Sequence, residues 1–87
     1  MKSRLKKFVK ERDEMLKKRS VAYLRKFVND NADLYGVAFV ERINGATDEV
    51  LEITLHKMIM QVPSLPSKLR YKSAIWLMSH GFDLSIN

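Results

Sequence analysis

The groups that could do covalent or metal chemistry are few and scattered. The two histidines, His56 and His80, are far apart in sequence, and neither has a neighbour at ligand spacing. A zinc site needs three or four converging donors. The chain has no cysteine, so thiolate ligands, thiol nucleophiles and disulfides are excluded, and a reducing compartment, the cytoplasm, is the expected location. The three glycines, Gly36, Gly45 and Gly81, stand alone, so there is no glycine-rich loop to cradle a phosphate. Paired acids occur at Asp13/Glu14 and Asp48/Glu49, but helix electrostatics accounts for both. Catalysis needs an acid, base, nucleophile or metal at reacting distance. The expectation is therefore a protein that is not an enzyme, with no catalytic residue, metal or cofactor. His56 reads as a core or surface histidine, and His80 as a last-turn residue facing the helix dipole.

The strongest signal is charge. Of sixteen basic residues, eleven fall in the first 26 positions: Lys2, Arg4, Lys6, Lys7, Lys10, Arg12, Lys17, Lys18, Arg19, Arg25 and Lys26. Against three acids there, this gives +8, while five bases and seven acids give −2 in the remainder. A field this concentrated seeks phosphates or an acidic protein surface. The charges come singly and in pairs around a helix, which suits phosphate contacts at several heights along a groove. Lys2, Arg4, Lys6, Lys7, Lys10, Lys17, Lys18, Arg19, Arg25 and Lys26 are the expected nucleic-acid-binding residues, with RNA or DNA left open. The competing reading is a solvated face that keeps the chain dispersed. No homeodomain, zinc-finger or RNP signature is present, and Phe8 and Tyr23, the aromatics of this region, lie on apolar faces where core packing is their expected role.

These charges need a scaffold. Eighty-seven residues, 46% hydrophobic and 30% charged, make one domain that is too apolar for wholesale disorder. No run is long and apolar enough for a membrane span, and the basic start lacks the apolar core of a signal peptide. Residues 2–18 have the helical spacing of Leu5, Phe8, Val9, Met15 and Leu16, with Arg12 inside that stripe, either snorkelling out or meeting a carboxylate. Asp13–Lys17 and Glu14–Lys18 have favourable i,i+4 order. Ser20 can cap a second helix carrying Tyr23, Leu24, Phe27 and Val28, although one helix over 2–30 also fits. Residues 29–33 read as a break, 34–43 as a short helix with Leu34, Val37, Phe39, Val40 and Ile43, and Asn44-Gly45 as its end.

Thr47 with Asp48 and Glu49 marks the start of a helix over 48–62. Its main stripe is Leu51, Leu55, Met58 and Val62, with Ile53 and Met60 on the other flank. Pro63 stops it. Ser64 or Ser67 can cap the last helix, about 66–79, which has one face of Tyr71, Ala74, Ile75 and Met78 and another of Leu69, Ser73, Trp76 and His80. Gly81 followed by Phe82 fits a glycine C-cap, and 83–87 should fray. A small bundle covers only one flank of most helices. Ile53, Met60, Leu69 and Trp76 are therefore the expected oligomer or partner face, and the chain is expected to be a homodimer. The fold class is all-α, a bundle of four to five helices. The alternative is α+β, with a hairpin at about 37–55, because Leu51, Ile53 and Leu55 alternate with polar residues and Asn44-Gly45 could form the turn.

The stretch Val50-Leu51-Glu52-Ile53-Thr54-Leu55-His56-Lys57-Met58, ending in Val62-Pro63, resembles part of the Hha/YmoA family. Those are small helical proteins that modulate a bacterial nucleoid-structuring protein, so the resemblance implies one kind of binding module. The chain departs from that pattern in its long basic lead helix, in Gly45, and in placing Trp76 well beyond Pro63. The functional expectation is a non-enzymatic regulator that grips the phosphate backbone of RNA or DNA. The alternative is a small protein-binding inhibitor of a nuclease, toxin or other nucleic-acid-processing machine.

Overall fold

The computed structural model describes residues 2–82, with side chains from Arg4 onward. The lead helix, α1 (Lys2–Lys18), is followed by α2 (Val21–Asp30), a single turn α3 (Ala32–Tyr35), α4 (Val37–Gly45), α5 (Asp48–Gln61) and α6 (Ser67–Ser79). No strand occurs among the described residues, and the hairpin alternative at 37–55 is excluded because α4 and α5 occupy that span. Lys2's side chain and the predicted frayed end, 83–87, lie outside the described residues.

The boundaries follow local chemistry. Residues 2–30 do not form one helix: Arg19 takes a left-handed φ of 52° and Ser20 is extended. The break folds α2 back on α1, so each covers the other's apolar stripe. Ser20 occupies the N-cap position, but its side chain makes no capping bond. The predicted break at 29–33 narrows to Asn31, whose amide donates to the Phe27 carbonyl at 2.9 Å. The predicted helix 34–43 is instead split at Gly36, whose φ of 87° and ψ of 155° suit only glycine. Asn44-Gly45 ends α4 as expected, and Asn44 exchanges two amide hydrogen bonds with Asn29 of α2, at 2.8 and 3.0 Å.

Two caps form as the residue types require. Thr47 Oγ1 accepts from the Val50 N–H at 3.3 Å, with Asp48 and Glu49 in the first turn of α5. After α6, the Phe82 N–H donates to Leu77 and the Gly81 N–H to Met78, with Gly81 at φ 80°, the paired bonds of a glycine-terminated helix. The serine cap of α6 does not form. Pro66 holds that position, and Ser64 Oγ donates instead to Asp13 Oδ2 at 2.8 Å.

The core contains Met15 and Leu16 of α1, Leu24, Phe27 and Val28 of α2, Ile43 of α4, Leu51, Leu55 and Ile59 of α5, and Leu65 from the connector. Leu77 of α6 is also fully buried. Ile59, Leu65 and Leu77 escape the predicted stripes. Met58 and Val62, assigned to the main stripe of α5, are only half-buried there, while Ile59, one residue past Met58, turns fully inward. A four-ring cluster ties the first four helices together: Phe8 lies 5.3 Å from Phe27 and 5.7 Å from Tyr35, and Tyr35 stacks on Phe39 at 5.0 Å. Burial pushes the Tyr35 phenol above its ordinary pKa, opposed by nearby Arg12.

Leu5 and Leu16 share one predicted stripe, yet Leu5 is 58% exposed and Leu16 is fully buried. Leu16→Ala is expected to cost about 2–5 kcal/mol and Leu5→Ala less than about 0.5 kcal/mol, measured by urea unfolding. Equal losses would mean that α1 is seated differently.

Candidate nucleic-acid interface

The lead helix meets the body along one edge only. Phe8, Met15 and Leu16 face inward, and polar ties fix its two ends. Arg4 pairs with Asp33 of α3. Arg12 meets a carboxylate, as one of its two expected options: its Nε and Nη2 donate to Asp13 Oδ1 at 3.2 and 3.0 Å. Asp13 also accepts from Ser64, so this cluster joins α1 to the connector before α6. The expected Asp13–Lys17 and Glu14–Lys18 pairs do not form. Asp13 is turned toward Arg12 and Ser64, and Glu14 approaches Lys17 at 3.9 Å.

The ten expected phosphate-binding residues divide by what holds them. Arg4 is engaged by Asp33. Arg25 is half-buried, donating to Asp48 Oδ1 and to the Ala46 carbonyl, both at 2.7 Å. Lys26 pairs with Asp30 at 2.7 Å, a contact that raises its pKa through the hydrogen bond and the carboxylate charge. Lys17 has Glu14. Arg25 therefore clamps α2 to the start of α5, a tertiary role that its sequence position did not disclose. Lys6, Lys7, Lys10, Lys18 and Arg19 are exposed, and none has a carboxylate partner among the described residues.

Lys6, Lys7, Lys10 and Lys18 border grooves on α1. Between α1 and α2, an open groove of about 430 Å³ is lined by Lys7, Lys10, Lys18 and Lys26, by Glu11 and Glu14, and by Met15, Tyr23 and Phe27. Tyr23 was expected to pack in the core, but its side chain stands at this groove, 47% exposed. The Lys18 ammonium lies 4.9 Å from its ring centroid. A second shallow groove on the adjoining flank, sharing Lys10 and Glu14, gathers Lys6, Lys10 and Lys17 around Val9, with Asp13.

The histidines belong elsewhere. His56 is buried, its Nδ1 hydrogen-bonded to Ser73 Oγ at 2.9 Å. Both imidazoles lie nearly parallel to the Trp76 ring, with centroids 4.3 Å (His56) and 3.9 Å (His80) away. His80 is the C-cap of α6, and its Nδ1–H donates to the Trp76 carbonyl at 2.8 Å. Trp76 is thus half-buried against the two imidazoles, and with Ile53, Glu49 and Glu52 it lines an open depression. Ile53 and Met60 are half-buried, and Leu69 packs on the core. The α6 flank that the structure leaves open is the opposite one, Tyr71, Ile75 and Met78. Among the described residues, no three metal-ligating side chains converge, and no helix is long and apolar enough to cross a membrane.

Comparison with protein-family models, curated proteins and solved structures gives no match, the stretch around 50–63 included.

Burial lowers the pKa of His56, reinforced by Arg19 and His80 and opposed by Glu52. The folded chain therefore holds this imidazole neutral while the unfolded chain protonates it near its ordinary value. Between the lowered value and that ordinary value, the unfolded state binds more protons at this group, so the contribution of His56 to stability falls as pH drops below about 6.5. Urea midpoints measured from about pH 7.5 to 5.5 should show this slope, and His56→Gln should flatten it. An unchanged slope in the variant would assign the proton to another group.

Proposed function

We propose that this protein is a non-enzymatic nucleic-acid-associated regulator that grips the phosphate backbone through α1. One observation carries the reading. Lys6, Lys7, Lys10, Lys18 and Arg19 are exposed on α1 and on the bend after it, and among the described residues none is ion-paired to a carboxylate. A helix fixed along one edge presents its ammonium groups already spaced, so less side-chain and backbone freedom is lost on contact with a polyanion. Arg4, Arg25 and Lys26, tied to Asp33, Asp48 and Asp30, belong to the scaffold more than to the gripping surface. Binding of this kind carries little sequence preference, because phosphates hold no sequence information.

The expected signature is a steep salt dependence. With four or five phosphates neutralised, the log–log slope on duplex DNA should be about −4. The triple substitution Lys6→Glu, Lys7→Glu, Lys10→Glu should remove most of this slope and most of the affinity, read by fluorescence anisotropy. Retention of wild-type affinity on both RNA and DNA would refute the reading.

A second reading has its own support. On α6, Tyr71, Ile75 and Met78 follow i, i+4, i+7 spacing and remain exposed, Tyr71 by 68% and Met78 by 61%. Such a row suits a protein partner, either a second copy of the chain or the target of a small inhibitor. For a homodimer, sedimentation velocity should give twice the chain mass, and Ile75→Glu should return it to the monomer value. A monomer at all concentrations would leave the heterologous partner as the use of this face.

A further inference from the structure

We infer that the groove between α1 and α2 selects single-stranded over duplex nucleic acid, by stacking a base on Tyr23 while the lysines of the rim hold the neighbouring phosphates. This inference rests on the phosphate-binding reading and adds the class of strand. Its ground is the composition of the groove. Lys7, Lys10, Lys18 and Lys26 stand beside Met15, Tyr23 and Phe27 in one open depression. A surface built only for the outside of a duplex has no use for an aromatic ring among its lysines, because the bases of a duplex are stacked inward and only phosphate and sugar face out. A single strand can turn a base onto an aromatic face, and aromatic platforms within a positive groove are how such strands are held without sequence preference.

The position of Tyr23 fits that role. It lies in the first turn of α2, directly across the bend that Arg19 and Ser20 impose, so its backbone is fixed while its ring stays half open to solvent. The Lys18 ammonium already sits over that ring, which shows that the ring face accommodates a cation from the same rim. The four-carbon stem of Lys18 lets the ammonium move outward to a phosphate when a base takes its place. Glu11 and Glu14 also line the groove. Both are exposed on α1 between Lys7, Lys10 and Lys18, so they repel phosphate locally and favour an uncharged base beside them over the strand's backbone.

The test compares three labelled probes of equal length: oligouridylate, oligothymidylate and a mixed-sequence duplex DNA. For the wild-type chain, single strands should bind at least about tenfold more tightly than the duplex, whose bases cannot reach the ring. Tyr23→Ala should weaken single-strand binding by roughly 5- to 150-fold, the range that stacking on one aromatic ring supplies, and should leave duplex affinity unchanged. Tyr23→Phe should retain the wild-type preference. If Tyr23→Ala does not fold, as judged by circular dichroism, Tyr23→Leu gives the same comparison, because it keeps apolar bulk and removes the ring. The relative strength of the two single strands distinguishes RNA from DNA. Equal affinity for all three probes, unaltered at Tyr23 but still lost in the triple lysine substitution, would overturn this inference and leave phosphate gripping intact. Failure of all three probes to bind would overturn both.

Discussion

The structure depends on one contact strip: the narrow apolar edge of α1, where Phe8, Met15 and Leu16 are seated against α2, α3 and α5. An isolated helix of this length is marginal in water, and this one opens without an acidic residue in its first turn. Tertiary burial must supply what local preference does not. Leu16 gains the most from it, being fully enclosed, and Phe8 extends the strip into the ring cluster with Phe27 and Tyr35. Because the strip is narrow, the rest of the helix circumference stays in solvent, where lysines are best hydrated.

Polar contacts then fix orientation rather than supply bulk stability. Exposed ion pairs such as Arg4–Asp33 and Lys26–Asp30 contribute little individually. The less exposed Arg12–Asp13–Ser64 cluster links α1 to the connector, and Arg25 joins α2 to the start of α5. Among the described residues, every buried side-chain nitrogen or oxygen has a hydrogen-bond partner, including His56 and Ser73. The α5–α6 pair is tied by the His56–Ser73 hydrogen bond, with Trp76 and two imidazoles stacked beside it, while α5 also contributes Leu51, Leu55 and Ile59 to the shared core.

This division separates the cations into two kinds. Those held by a carboxylate serve the fold, and those without an ion-pair partner among the described residues stay available to an external anion. Sequence proximity does not predict the division. Arg25 and Lys26 are adjacent, yet Arg25 spans to Asp48 in α5 while Lys26 remains on its own helix with Asp30. Lys6 and Lys7, two and three residues beyond the tied Arg4, have no ion-pair partner among the described residues. The available charge is therefore concentrated on α1 and on the bend that follows it.

The helical class, the charge asymmetry, the cap at Thr47 and the glycine stop at Gly81 could be read from the chain, because each rests on local periodicity or on one residue's backbone preference. The break at Gly36 was not legible, since its backbone conformation is set by how α3 and α4 pack. The inward turn of Ile59, Leu65 and Leu77 was not legible either. Helices apolar on two flanks offer two possible inner faces, and only contact between α5 and α6 selects one, leaving Tyr71, Ile75 and Met78 outside. Tyr23 was equally ambiguous: its spacing matched the core stripe of α2, but the bend at Arg19–Ser20 rotates it to the rim of the basic groove. Sequence alone thus determined that the lead segment is a cationic helix. Tertiary structure decided which cations remain free and which ring stands among them, because both depend on distances between segments that local preferences do not encode.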